Sequence, residues 1–358
     1  MRTILPCFVS FCGLVLAGCG ANSVSAADAG MSIPDMARPV GNDQTVKILD
    51  GVVHLGGMLQ NNGSATLPGG LFSKITLHLD LTCPAAGCDP YDRIARILVA
   101  VPGADQGSFF EIGRYITPFG VKGKWDIDVT DLAPILTGGP KNFRSYLETY
   151  AQNGQGWIVT ASLIYVGGIP DPEPISVAPL PWDSLPVGDP PSQPIDKSLP
   201  PQTISFAVPP SRVRVRLLVT GHGQGNSDNC AEFCDLTHSV LVNGAPIDSR
   251  SLWRDDCDQN PIHQKGSWQY PREGWCPGSA VNPWNVDIPG GPPMPFTISY
   301  GPPGIDNGSG LQPYVNTCSP KNCDPKSCPF GGADPCTGNG GSHTDPRFVI
   351  SAAVIGYR

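Results

Sequence analysis

Eleven of the chain's 40 prolines lie between Pro170 and Pro201. Proline has no amide hydrogen to donate and fixes its own φ, so it ends helices and is kept out of the middle of a sheet. That density predicts an extended, partly polyproline-like linker over residues 170–201. The linker would divide the chain into a first domain, residues 45–169, and a second, residues 202–358. At 358 residues the chain is too long for one ordinary core and suits about two.

On both sides of the prolines the pattern has period two. Ile75, Leu77, Leu79 and Leu81 alternate with Thr76, His78, Asp80 and Thr82, as in a strand with one buried face. Residues 93–101, 125–131 and 157–166 read as further strands, with one short turn of helix near Asp131–Leu136. Beyond the prolines, Val213, Val215, Leu217 and Val219 alternate with Arg212, Arg214 and Arg216. Residues 239–242 run into Asn243-Gly244, a hairpin signal, and 296–300 and 348–357 read as closing strands. The expected class is all-β, as two tandem antiparallel sandwiches of jelly-roll type. Residues 302–346 read as an irregular insertion rich in Gly, Pro and Cys.

The N-terminus reads as an export signal over residues 1–19. Arg2 is followed by an apolar run from Ile4 to Leu16, too short to span a bilayer. Leu16-Ala-Gly-Cys19 has the form of a bacterial lipobox, with Cys19 as the lipidated residue. Ordinary cleavage after Ala26 is the alternative. Residues 20–44 read as a flexible leader. The expected location is outside the cytoplasm, either lipid-anchored in the cell envelope or periplasmic or secreted.

Cysteine usage agrees with export. Of 13 cysteines, setting aside Cys7, Cys12 and Cys19 leaves ten, enough for five disulfides in an oxidising compartment. The spacing suggests Cys83–Cys88, Cys230–Cys234 and Cys257–Cys276 and leaves Cys318, Cys323, Cys328 and Cys336 unassigned. Those four lack a Cys-x2-Cys pair, which argues against zinc. The net charge of −8 argues against nucleic acid or an anionic membrane surface as partner and leaves a neutral substrate such as sugar or peptide.

Two of the cysteine loops carry or precede a carboxylate. A loop of five residues contributes only about 2 kcal/mol in the chain-entropy account, so it suits aiming a side chain better than holding a domain together. Cys83-Pro-Ala-Ala-Gly-Cys88 leads into Asp89-Pro-Tyr-Asp92-Arg93, and Cys230-Ala-Glu232-Phe-Cys234 contains its own acid. Glu148, within Tyr146-Leu-Glu-Thr-Tyr150, is a third candidate. The plain alternatives are a turn aspartate, an exposed loop glutamate and a solvent-facing strand residue. Trp268, Tyr270 and Trp275 surround Arg272, a composition suited to a sugar face, or to a loop packed on its own aromatics. His222 and His238 stand alone, without His-x-His or His-x3-His spacing, and read as structural. A Gly-x-Ser-x-Gly nucleophile elbow is absent.

In order along the chain, Cys88-Asp-x-aromatic-Asp92-Arg93, Glu111-Ile-Gly-Arg-Tyr-Ile-Thr-Pro118, Ile127-Asp-Val-Thr-Asp131, Glu148-Thr-Tyr150, Cys230-Ala-Glu-Phe-Cys234 and Arg272-x-Gly-Trp-Cys-Pro-Gly278 resemble the bacterial peptide-N-glycosidase F family. The resemblance covers residues 45–280 and, more loosely, the final strand. It implies two jelly rolls packed side by side with the site at their junction. It also implies hydrolysis of the amide between the innermost N-acetylglucosamine and asparagine of N-linked glycoproteins, without metal or cofactor, by a monomer. Asp92 then matches the principal catalytic aspartate, with Glu232 and Glu148 as further carboxylates. Arg93, Arg272, Tyr150 and Trp275 fall near the substrate. Pro90-Tyr91 and Tyr150 depart from the family's tryptophan-containing pattern, which bears on glycan preference. Two rivals share the predicted fold: a non-catalytic glycan-binding module, and a copper monooxygenase, which would need more clustered histidines than the six present.

Overall fold

The computed structural model describes residues 23–25, 38–101, 108–186, 195–223, 231–233, 235–288, 292–306, 311–313 and 347–358. The expected export signal with Cys19, the pair Cys230–Cys234 and the last four cysteines lie outside the described residues. A three-residue strand, β1 (Ser23–Ser25), pairs in parallel with β12 (Gln202–Ser205), so part of the expected leader joins the edge of a sheet.

The first domain is a sandwich of two four-stranded sheets. One has the order β2 (Gln44–Leu55), β9 (Gly156–Gly167), β4 (Phe72–Thr82), β7 (Gly123–Asp128). The other has the order β3 (Gln60–Leu67), β8 (Gly139–Leu147), β5 (Ile94–Ala100), β6 (Phe109–Ile116). All these pairings are antiparallel. Alternation places Ile75, Leu77, Leu79 and Leu81 at 0–1% exposure between the sheets. Each such side chain contributes on the order of 2 kcal/mol on burial. A 3-10 turn, Thr130–Leu132, stands where one helical turn was expected.

The second domain is built on β13 (Arg212–His222) and β21 (Arg347–Tyr357), which pair along eleven residues. β18 (Trp284–Ile288) flanks β13, and β10 (Pro174–Pro179) and β11 (Ser184–Pro186) flank β21. The facing sheet runs β12, β19 (Phe296–Asp306), β14 (Thr237–Val242), β15 (Ala245–Ser251), with β20 (Leu311–Pro313) paired to β19. The β14–β15 turn places Asn243 at φ 50° and Gly244 at φ 80°, the left-handed pair that an Asn-Gly hairpin requires.

Two expectations need correcting. The proline-rich segment is not simply a linker, because β10, β11 and the short helical turn α1 (Ile195–Ser198) lie within it. Proline is tolerated there because both strands flank the sheet on its outer side, where an absent N–H breaks no central ladder. The irregular insertion also starts later than Pro302, since β19 continues to Asp306 and β20 pairs back on it.

The two sandwiches lie side by side. β21 is apolar almost throughout because both its faces are covered. Phe348, Ile350, Ala352 and Val354 face the second core, while Ala353, Ile355 and Tyr357 join the first. A smaller apolar cluster of Ile94, Ile116, Leu218, Trp275, Val281 and Val349 seals the junction.

Candidate active site

The first acidic segment is aimed by a tight turn. After β4, the disulfide Cys83–Cys88 reverses the chain, with Gly87 at φ 106°, a conformation that L side chains rarely adopt. Cys88 then bridges to Gly156 of β9. Asp89, fully buried, accepts from Arg93 Nε (2.9 Å), Thr149 Oγ1 (2.7 Å) and the Tyr91 amide (3.0 Å). One carboxylate thus ties the Asp92 turn to the segment carrying Glu148. Arg93 lies within reach of the exposed rings of Tyr91 (5.2 Å) and Tyr150 (5.3 Å). Asp92 is left facing the domain junction.

The second segment comes from the other domain. β17 (Arg272–Glu273) pairs with β16 (Trp253–Arg254), and strand alternation turns its two side chains apart. Glu273 points into the fold and bonds His238 Nε2 (2.9 Å), while Tyr300 Oη meets His238 Nδ1 at 2.6 Å. His238 is therefore structural, as expected. Arg272, 1% exposed, donates to the Ser267 and Tyr270 carbonyls (3.0 and 2.8 Å). Its ring neighbours are Trp275 (4.9 Å) and Phe233 (5.3 Å). The disulfide Cys257–Cys276 closes the segment that carries it.

So fixed, the Arg272 guanidinium lies between carboxylates of both domains. Its Nε is 3.3 Å from Glu232 Oε1, and its Nη2 is 3.8 Å from Asp92 Oδ2. Glu232 Oε2 also accepts from the Gly223 amide at 3.2 Å. Burial raises the Asp92 carboxyl above its ordinary range, against the pull of Arg272 and Arg93. Burial, and then the Asp92 charge, pushes Glu232 up to about 7, again opposed by Arg272. Two neighbouring acids whose titrations interact in this way share protons as a pair.

Glu148 stands just past β8. It accepts from Tyr146 Oη (3.1 Å) and from Arg347 Nη2 (3.1 and 3.3 Å), at the start of β21. Asp92, Arg93, Glu148, Tyr150, Glu232 and Trp275 line one cavity of about 200 Å³ at the junction, together with His222 and Arg347. Arg272 lies behind it. Sequence reasoning missed three of the groups here. Arg347 carries no local signal, Asp89 sat unassigned inside a quoted motif, and His222 read as structural. Trp268 is buried near His263, and Tyr270 is exposed.

A larger cavity, about 510 Å³, opens elsewhere along the same junction and gathers Asp126, Asp128 and Asp131. Those acids are already engaged, by His78 (2.6 Å), Thr130 (2.6 Å) and Arg214 (3.1 Å) respectively. The smaller cavity, where burial raises both Asp92 and Glu232, is the better candidate for chemistry. Among the described residues no group of three or more His, Cys, Asp or Glu side chains could hold a metal ion.

Fold and site together define a class: paired antiparallel β-sandwiches with a carboxylate–arginine cleft at their junction. Residues 195–319 match the family model described as Peptide-N-glycosidase F, C terminal. The chain is 29% identical over 285 residues to peptide-N(4)-(N-acetyl-beta-D-glucosaminyl)asparagine amidase F of Elizabethkingia miricola, covering 73% of this chain and 77% of that one. These matches make the chain similar in sequence to the peptide-N-glycosidase F family. Solved structures agree in fold. A recombinant PNGase F aligns at TM-score 0.68 and 24% identity, over 88% of this chain and 96% of the other. The Flavobacterium meningosepticum enzyme, described as a glycosylasparaginase, aligns at 0.67 with the same identity and coverage. PNGF-II aligns at 0.62 and 14% identity, over 88% of this chain and 66% of the other.

Proposed function

We propose that this protein is a glycoamidase. It hydrolyses the amide joining the innermost N-acetylglucosamine to asparagine in N-linked glycoproteins or glycopeptides, releasing a glycosylamine and leaving aspartate. The observation that carries this reading is the sharing of Arg272 by Asp92 and Glu232, from opposite domains, in one partly closed cavity.

The chemistry asks for such a site. An amide nitrogen leaves poorly unless protonated, and water attacks poorly until a base takes its proton. Two acids whose environments separate their proton affinities divide those tasks. In this reading Asp92 acts at the scissile amide, and Glu232 holds or passes a proton near neutrality. Arg272 keeps one of them ionised and steadies charge developing on the carbonyl oxygen. Glu148, held by Arg347, orients substrate or water, while Arg93, Tyr150 and Trp275 border the bound sugar. No metal or cofactor takes part. The chain works as an exported monomer, anchored through lipid on Cys19 or released.

Incubating the protein with a denatured N-glycoprotein tests the reading by mass spectrometry. The expected result is the mass change of Asn converted to Asp at glycosylated sites, lost in Asp92→Asn. An intact fold that produces no such change overturns it.

A further inference from the structure

We infer that His222 donates a hydrogen bond from Nδ1–H to a carbonyl oxygen of the bound substrate, its tautomer set by a buried chain, Glu111–Arg114–Thr220, that crosses the domain junction. The substrate half of this rests on the glycoamidase reading. The tautomer half stands on hydrogen-bond geometry alone.

The chain begins in the first domain. Glu111 and Arg114, 3% and 0% exposed, form a two-pronged pair on β6, with Nε–Oε1 at 2.8 Å and Nη2–Oε2 at 2.7 Å. Arg96 adds a third bond to Glu111, 2.9 Å from Oε2. A guanidinium held by its fork has no rotational freedom left. Its remaining arm, Nη1, crosses into the second domain and donates to the Val349 carbonyl (2.7 Å) and to Thr220 Oγ1 (2.8 Å).

Thr220 is fully buried, and its hydroxyl has one hydrogen to give. Arg114 can only donate, so Thr220 Oγ1 is the acceptor in that contact. The other contact of the hydroxyl among the described residues is His222 Nε2 at 2.7 Å. If Nε2 carried the ring proton, Thr220 would accept twice and leave its own buried hydrogen without a partner, a costly arrangement. The hydrogen therefore points from Thr220 to Nε2, and a neutral ring must carry its proton on Nδ1.

Neutrality follows from the surroundings. Burial, then the positive charges of Arg114, Arg347 and Arg272, holds the imidazole well below its ordinary pKa. The ring plane is fixed by stacking on Trp275, with centroids 5.1 Å apart at 26°. Trp275 is itself anchored by Nε1 on the Gly221 carbonyl (2.6 Å). The His222 ring lines the same cavity as Asp92, Glu148 and Glu232, and its Nδ1 has no hydrogen-bond partner among the described residues. Around it stand the donor-only arginines and the proton-sharing acids Asp92 and Glu232. A neutral N–H there suits a neutral acceptor, such as the acetamido or amide carbonyl of the substrate.

The test combines 15N NMR of histidine-labelled protein with steady-state kinetics on a glycopeptide. In wild type, His222 should give the pattern of a neutral ring protonated at Nδ1. Thr220→Ser keeps the hydroxyl and should preserve both tautomer and turnover. Thr220→Val removes it; the ring should then populate both tautomers, and kcat/KM should fall about tenfold, with the histidine spectrum of a folded protein. A wild-type ring protonated at Nε2, or a Thr220→Val protein with unchanged tautomer and unchanged kcat/KM, overturns the inference. A shifted tautomer with unchanged kcat/KM overturns the substrate contact. Wild-type protein with the expected tautomer that releases no glycan overturns the glycoamidase reading, and the substrate contact with it, but not the buried chain.

Discussion

Asp89→Asn isolates the carboxylate that holds the first-domain half of the cleft in place. Asp89 Oδ1 accepts from the Tyr91 amide at 3.0 Å and Arg93 Nη2 at 3.4 Å, while Oδ2 accepts from Arg93 Nε at 2.9 Å and Thr149 Oγ1 at 2.7 Å. Asparagine can keep an oxygen on only one side. With its oxygen at the Oδ1 position, the amide NH2 faces Thr149, whose hydroxyl can rotate to accept, and Arg93 Nε–H, which cannot. The variant therefore loses one short charge-assisted bond and the charge opposite Arg93. A bond to a charged group is worth about 1.5–3 kcal/mol. Arg93 is 20% exposed and regains some hydration, which favours the lower half of that range. We expect a loss of ~2 kcal/mol in urea unfolding. Released from Asp89, Arg93 no longer holds its place beside Tyr91 and Tyr150, and kcat/KM on a glycopeptide should fall about tenfold, equivalent to ~1.4 kcal/mol of transition-state binding. A variant with wild-type urea midpoint and wild-type kcat/KM refutes the reasoning. Lost stability with unchanged kcat/KM removes Arg93 from the site.

The paired acids predict a pH effect with a definite sign. Folding raises Glu232 from 4.5 to about 7, so the folded protein holds a proton that the unfolded chain releases first, and stability from this group falls as pH rises between those values. Glu232→Gln lacks that titration and should gain stability relative to wild type by about 2–3 kcal/mol between pH 4.5 and 7, read from urea midpoints; a pH-independent difference contradicts the assignment. In Asp92→Asn, loss of the neighbouring charge should move the Glu232 titration, followed by 13C NMR, to lower pH. Arg347→Met leaves Glu148 without its cation and should lower kcat/KM about tenfold, with substantial recovery in Arg347→Lys, because a single nitrogen, Nη2, meets both carboxylate oxygens and an ammonium can supply such a point contact. On the proposed role of the exposed Tyr150 ring beside bound sugar, Tyr150→Ala should raise KM more than it lowers kcat.

What was legible in the sequence follows where one physical constraint dominates. β4 and β13 alternate cleanly because each has one face in a sandwich core, so every second residue must be apolar. β3, Gln60–Leu67, is invisible by that rule. Its residues range from exposed to half-buried until Leu67, and the strand is held by its backbone ladder to β8. Pro174–Pro179 reads as unfit for a sheet, and only its place beside β21 shows which N–H groups are dispensable. In the site, Asp92, Glu232 and Arg272 stand in short motifs and were found from them. The Glu148–Arg347 contact joins residues 199 apart, and nothing near Arg347 in the sequence announces it. His222 looked like an isolated histidine because its stacking partner Trp275 is distant in sequence and the arginine behind Thr220, Arg114, comes from the other domain.

The outer face of β13 explains why the cleft lies at the junction and not inside either sandwich. Val213, Val215, Leu217 and Val219 fill the second core, so the intervening residues must face the first domain. From one end they run through Arg214, paired with Asp131 across the junction (3.1 Å), and Leu218, sealed in the apolar cluster with Ile94 and Ile116. They continue to Thr220, gripped by Arg114, and end at His222 in the cleft wall. The same strand face that docks the domains thus delivers a ring to the site, while β21 beside it docks Tyr357 into the first core and presents Arg347 to Glu148 at its other end. Docking and site geometry are one set of contacts. Neither domain alone can bring Asp92 and Glu232 to a shared guanidinium, and the charge that each places on the other exists only after the junction has closed.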